Sequence, residues 1–459
     1  MSTTRPAVLE TDPAVRKYLD RHAEPGLADS ADIRGSWSAV VVVPSCREGD
    51  TPVDVLQSVD AAAAVSRGRA LIILVVNGRA SAPMTTHESN AATLGRVRRM
   101  GVVRCLAQDM EMIGRTHSDI LLVDRATEGH RFPDKQGVGL ARKLGCDLAL
   151  HLIVGGQVET PWIHTTDADA IVPLAYFEAS LARASSGRVS ALALPFRHHC
   201  PPGTNFGRAQ ALYELSLRYF VLGLHHARSP YAFHTIGSTM AFDARAYAQV
   251  RGFPRKEAGE DFYLLNKLAK VGGVASVGTA PIELKARPSD RVPFGTGVGV
   301  SKIERESPDG TSFRLYHPET FVWLRELMEA LEGFGLSGDP AATKEALLLT
   351  RWGAPGIRVL EGIGLFDTLQ DAADNTRSAS ARLKRVHTAF DAFRTRKTIH
   401  ALRDDLLPPM PWREALTSAV FLPELKGADD ADPSDLCALL ATLEARGPSV
   451  ISEPGCPPP

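Results

Sequence analysis

Early in the chain the apolar positions arrive in unbroken runs instead of alternating with polar ones. In SAVVVVPSCREGD (38–50) a β-branched run ends at Pro44, and in RALIILVVNG (69–78) a second run ends at Asn77 and Gly78. Runs of this length without period-2 alternation predict strands buried on both faces, as in a parallel sheet. Between them, TPVDVLQSVDAAAA predicts a helix, with Thr51 as N-cap, Pro52 at the first helical position and Asp54 in the first turn. The first eighty residues therefore read as a βαβ unit, and sheets built this way bind ligands at the carboxyl ends of their strands.

The pattern continues with LLVDRATEGHRFPDKQGVGLARKLGCDLAL (121–150), read as a strand, a long polar loop and a Leu/Ala-rich helix. WIHTTDADAIVP and VSALALPF (189–196) predict further strands, and AQALYELSLRYFVLGLHHA (209–227) has the spacing of a buried helix. Beyond about residue 305 the period becomes helical. Phe321, Leu324, Leu327, Met328 and Leu331 share one face, and Leu383, Val386, Phe390 and Phe393 repeat the spacing. The expected organisation is a helical arm over 1–35, an α/β domain over 36–305, a mainly α-helical domain over 306–445 and a disordered tail over 446–459.

Composition narrows the function classes. Hydrophobic residues make up 44% of the 459 positions, charged residues 23%, and the net charge is -1. This balance offers no basic surface for nucleic acid. The six cysteines form no CxxC pair, which argues against a zinc site or a disulfide framework and fits a cytoplasmic, reducing setting. The N-terminus lacks the apolar core of a secretory signal, and no run reaches the roughly 18–20 residues that span a bilayer.

Candidate chemistry lies in two acidic stretches. Asp167 and Asp169 follow WIHTT and precede AIVP, so they stand where a buried strand emerges at the ligand edge. The same three letters at Asp430–Asp432 lie in a polar, proline-bearing segment and read as solvated. Two carboxylates on one turn suit Mg²⁺ or Mn²⁺, which take the rest of their shell from substrate phosphates. Glu260 and Asp261 open the apolar helix FYLLNKLAKVGG, where acids at a helix start are also favoured by the macrodipole.

In order, VVVPSCRE, ILVVNG, KQGVGLARKLG, TTDADAIV, GSTMAFDARAYAQVRGF and EAGEDFYLLNKL resemble the family 2 glycosyltransferases over residues 38 to 300. The resemblance implies a GT-A fold, a nucleotide-diphosphate sugar donor, a hydroxyl acceptor and transfer with inversion, a hexosyltransferase-type activity. By position, Pro44, Ser45 and Glu48 would line the nucleotide pocket and Asn77 would approach the base. The family's usual aspartate is replaced there by an amide, which both donates and accepts. Lys135, Gly137, Gly139 and Arg142 would face the nucleotide and diphosphate, the glycines allowing close backbone approach. Asp167 would face the sugar or ribose and share the metal with Asp169, Asp261 would be the general base, and Glu260, Gly237 and Ser238 would meet the acceptor.

Weaker candidates are Arg287 and Arg291 as phosphate clamps and His198, His199, His225, His226 or His234 as a third metal ligand. Arg351-Trp352 lacks the glutamine of the processive synthases' Gln-x-x-Arg-Trp motif, since Leu348 stands there, which favours a non-processive enzyme. The helical domain is a candidate for homo-oligomer contacts. The alternatives are a sugar nucleotidyltransferase, whose first loop is glycine-rich where this chain has PSCREGD, and a catalytically silent nucleotide-sugar-binding protein.

Overall fold

The computed structural model describes residues 6–25, 33–185, 189–278, 280–285, 295–428 and 430–446. Arg287, Arg291 and the tail beyond residue 446 lie outside the described residues. The chain forms two compact units, Met1–His199 with Thr235–Val298, and Cys200–His234 with Gly299–Pro459.

The first unit is α/β. Its strands are β1 (Ala39–Ser45), β2 (Ala70–Asn77), β3 (Val102–Ala107), β4 (Met110–Gly114), β5 (Ser118–Arg125), β6 (Trp162–Thr165), β7 (Ala170–Ile171), β8 (Ala191–Ala193), β9 (Phe196–His199), β10 (Met240–Asp243), β11 (Val274–Ser276) and β12 (Ile282–Lys285). Nine of them form one sheet in the order β11-β8-β10-β6-β1-β2-β5-β4-β3, and β7-β12-β9 form a second. Every residue of β1 and β2 is buried, as the unbroken apolar runs require. The helix Val138–Val154 packs on both strands. It approaches so closely that a Cβ on Gly145 would lie 2.4 Å from Val42 Cγ1.

The topology itself selects a ligand edge. β1 pairs in parallel with β2 on one side and with β6 on the other, and β2 pairs in parallel with β5. The chain thus leaves β1 in one direction, through β2 to β5, and returns to β1's other flank at β6. Such a reversal opens a crevice at the carboxyl ends of the strands, beyond Ser45, Asn77 and Thr165.

Several local expectations need correction. Thr51 is itself helical and its side chain makes no cap hydrogen bond to Pro52–Val65, so proline and tertiary packing start this helix. The hairpin β3–β4 was not foreseen, because edge strand β3 exposes Val102 and Val103 and shows no alternation toward a core. Within the N-terminal arm the described residues form two helices, Pro6–Thr11 and Pro13–Arg21.

The second unit is mainly helical. Phe321, Leu324, Leu327, Met328 and Leu331 of Glu319–Ser337 are all buried in its core. The helix Asn205–His226, expected to accompany the sheet, belongs to this unit, and Tyr219 meets the ring of Phe321 edge-on at 5.6 Å. The stretch containing Leu383 and Phe393 is two helices, Ala379–Ala389 and Ala392–Asp405. Asp391 caps the second by accepting from Phe393 and Arg394 N–H, so Phe393 leaves the shared face and is exposed. Asp432 is not merely solvated: it caps Pro433–Ala445 through the Ser434 N–H at 2.8 Å. Among the described residues, no helix is long and apolar enough to cross a membrane.

Candidate active site

The centre of the first unit's site is Arg142, on the helix Val138–Val154, with only 3% of its side chain exposed. Its Nε donates to Glu260 Oε1 at 3.0 Å, and Nη1 donates to Thr165 Oγ1 at 2.5 Å and to the Gly237 carbonyl at 2.9 Å. Its Nη2 donates to Asp167 Oδ1. One guanidinium therefore ties together the end of β6, the turn before β10 and the first turn of the helix Glu260–Leu268. Gly237 is required by this packing, since a Cβ there would stand 2.5 Å from Arg142 Nη2.

Asp261 joins the same cluster. It is partly buried, follows Gly259 in the left-handed region (φ 72°) and Glu260 in the helix's first turn, and its Oδ1 accepts from the Phe262 N–H at 2.7 Å. Burial pushes its carboxyl up and the charge of Glu260 adds to this. The Phe262 N–H and Arg142 pull the other way, and the balance lies at about 7. Burial also opposes the charge on Arg142, but Asp167, Glu260 and Asp261 more than offset it and raise its pKa. Two carboxylates bonded to one cation thus stand beside Asp261, whose own carboxyl is pushed up to about 7.

A second set of polar side chains lies at the carboxyl ends of these strands. Ser45 Oγ, Asn77 Oδ1 and Thr166 Oγ1 are buried without a hydrogen-bond partner at the ends of β1, β2 and β6. Buried unpartnered polar atoms cost roughly 1–3 kcal/mol each, so three at one edge point to a polar ligand. Asn90, fully buried on the helix Met84–Arg98, organises this edge: its Oδ1 accepts from the Arg47 N–H at 2.8 Å and its Nδ2 donates to the Asn77 carbonyl at 2.9 Å.

The remaining sequence candidates fall as follows. Pro44 is buried within β1 and Glu48 is buried in the loop after it. Ser238 is buried between Gly237 and β10. Lys135 is exposed on the loop before Val138, with a left-handed backbone (φ 66°). Gly137 precedes the helix, with Arg79 Nη2 at 3.4 Å from where its Cβ would be. Gly139 is buried in the first turn of the helix. A Cβ there would lie 2.4 Å from the Lys256 carbonyl and 2.8 Å from that of Pro254, so the protein's own chain takes the space.

Asp169 is partly buried in the turn after β6, and its carbonyl accepts from the Lys285 N–H at 3.2 Å. Among the described residues, no group of three or more His, Cys, Asp or Glu side chains converges to hold a metal. His234 instead pairs with Glu444 at 2.8 Å within the second unit. A divalent cation at this edge would have as its protein donors Asp169 and Asp167, whose carboxylate is 38% exposed. Two hard oxygen donors fit Mg²⁺ or Mn²⁺ when a ligand's phosphates complete the shell.

Thr165, Thr166 and Asn90 were missed in the sequence. The threonines stand in the quoted WIHTTDAD motif, but nothing there distinguishes a hydroxyl that meets Arg142 from one buried without a partner. Asn90 had no signal beyond a polar residue on a helix.

No protein-family model matches the chain, and no curated protein matches it. Solved structures do. TarS 1–349 from S. aureus in complex with UDP-GlcNAc is 12% identical over 89% of this chain and 92% of its own, with a TM-score of 0.34. Mannosyltransferase PcManGT from Pyrobaculum calidifontis in complex with GDP-Man and Mn²⁺ is 15% identical over 83% and 96%, with a TM-score of 0.33. Glucosyl-3-phosphoglycerate synthase from Mycobacterium tuberculosis, with Mn²⁺, UDP and glucosyl-3-phosphoglycerate, is 15% identical over 64% and 90%, with a TM-score of 0.32. These neighbours are GT-A glycosyltransferases. At such scores the likeness carries no weight for activity, and the functional reading rests on this chain's own side chains.

Proposed function

We propose that the first unit is an inverting, metal-dependent GT-A glycosyltransferase that moves a hexose from a nucleotide-diphosphate donor to an acceptor hydroxyl. The observation that carries this reading is the Arg142 cluster: a cation binding Asp167 and Glu260 beside Asp261, a partly exposed carboxyl held at about 7, at the switch point of the sheet. A general base is most effective when its pKa lies near the working pH.

In this reading Ser45, Asn77 and Thr166 supply the polar contacts for the nucleotide, and their burial excludes water from it. Asp261 takes the proton from the acceptor hydroxyl as that oxygen attacks the anomeric carbon from the side opposite the diphosphate, which inverts the centre. Glu260 and Asp167 stay fixed on Arg142, so the base faces the acceptor in one orientation. A divalent cation held by Asp169 and Asp167 would neutralise charge on the leaving diphosphate.

The test is donor turnover. Incubation with labelled UDP-glucose or GDP-mannose and Mn²⁺ is expected to release nucleoside diphosphate, transferring hexose to water slowly and to an acceptor faster. Release should stop with EDTA and in Asp169→Ala. Release that continues unchanged in both would remove the metal from the reading. No release from any nucleotide hexose, with or without added hydroxyl acceptors, would remove the transferase.

A further inference from the structure

We propose that Tyr18 and Glu24 of the N-terminal arm are positioning residues: they hold, in register, the helix that carries Arg142 and the segment that leads into Asp261. The inference rests on reading Asp261 as the base.

Asp147, fully buried one turn beyond Lys143 on the helix Val138–Val154, is the anchor. Its Oδ1 accepts from the hydroxyls of Tyr18 at 2.6 Å and Tyr247 at 2.9 Å. Its Oδ2 accepts from Lys143 Nζ and from the Glu24 backbone N–H, each at 2.8 Å. Lys143 also donates to the Tyr18 oxygen at 2.7 Å. Lys143 adjoins Arg142, so the arm grips the helix beside the site's central cation. A buried charged group that loses one partner is costly, which makes this grip discriminating.

The second grip is on the segment Gly252–Gly259. The Glu24 carboxylate, nearly buried, takes Arg255 in a two-pronged contact, Nε to Oε1 at 2.8 Å and Nη2 to Oε2 at 2.9 Å. The turn before it is shaped around the arm, since a Cβ on Gly252 (φ 63°) would lie 2.3 Å from the Tyr18 hydroxyl. The same segment rests on Gly139 through the Pro254 and Lys256 carbonyls, and Glu257 meets Arg79 at 3.2 Å. It ends at Gly259, directly before Glu260 and Asp261. Glu24 thus acts on the carboxyl pair through this short, clasped stretch and through the Arg142 helix, whose Lys143 Nζ lies 3.8 Å from its Oε1.

The test uses the full chain. Arg255 is half-exposed and Lys143 Nζ stays 3.8 Å from Glu24 Oε1, so Arg255→Ala is expected to keep the fold; Tyr18→Phe probes the helix grip, and Arg255→Lys is the conservative variant. In Arg255→Ala, amide hydrogen exchange over 253–265 is expected to quicken roughly fivefold or more with β1 and β2 unchanged. Donor turnover should fall about tenfold while the affinity for the nucleoside diphosphate holds. Arg255→Lys should recover part of both. Exchange over 253–265 unchanged in both Arg255→Ala and Tyr18→Phe would overturn the inference, as would exchange that quickens equally throughout the sheet. If Asp261→Asn retains turnover, the base reading fails, and the exchange result alone then decides whether the arm holds this segment.

Discussion

Arg142→Met is expected to be the most destabilising single substitution in the first unit. It removes the cation hydrogen-bonded to both Glu260 and Asp167 and leaves Glu260 nearly buried without it. Breaking a buried ion pair from one side costs about 3–5 kcal/mol, because the remaining charge keeps its desolvation penalty. Thermal denaturation should show a fall on the order of 10 °C. Adding Glu260→Gln should restore part of the loss, since the double variant strands one charge fewer. Wild-type stability of Arg142→Met at pH 8 would show that the cluster is not bound as described. Arg142→Lys should also fail, because a single ammonium cannot span Glu260, Thr165, Gly237 and Asp167 together.

Asp261→Asn is expected to separate activity from stability. Loss of the base should lower transfer by roughly 10²–10⁴-fold with donor affinity intact. Stability should move the other way. The folded carboxyl titrates at about 7 against an ordinary 3.8. Between these values the native state keeps a proton that the unfolded chain has released, so this group's contribution to stability falls as pH rises from about 4 to 7. The amide has no proton to lose. The variant should match the wild type below about pH 4 and exceed it above pH 7, by on the order of 1–2 kcal/mol once partial solvent access is discounted. The wild type's transfer rate should in turn rise with pH, with a midpoint near 7, as Asp261 loses its proton. An active Asp261→Asn enzyme, or a pH profile without that limb, would remove the base assignment.

What the sequence revealed depended on how strongly each element was patterned. β1 and β2 were legible because burial on both faces left nothing but apolar residues for six and seven positions before Ser45 and Asn77. The acidic pairs were legible as motifs, but their joining was not, because Arg142 reads as one more charge on a helix of mixed composition. Gly139 shows what a motif leaves unsaid: its sequence context gave no sign that the Pro254 and Lys256 carbonyls pack where a side chain would stand. The hairpin β3–β4 escaped because an exposed edge strand carries no core-facing period. The helix Asn205–His226 was recognised as a buried helix, but periodicity does not say which core buries it. The arm's network was invisible for a similar reason, since Tyr18 and Asp147 stand 129 residues apart.

The claim on which the rest depends is that the crevice beyond β1, β2 and β6 holds a nucleoside diphosphate with a divalent cation. The most direct measurement is a thermal-shift series with UDP, GDP, TDP and CDP, each with Mn²⁺, Mg²⁺ or EDTA, on the wild type, Asp169→Ala and Ser45→Val. A ligand at a hundred times its Kd stabilises by about 2.7 kcal/mol, enough to see for a weak site. One nucleotide should raise the wild type's Tm with metal and not with EDTA, and the shift should vanish in both variants although Ser45→Val itself is no less stable. A shift that persists in both variants, or no shift with any nucleotide and metal, would contradict a donor site at this edge.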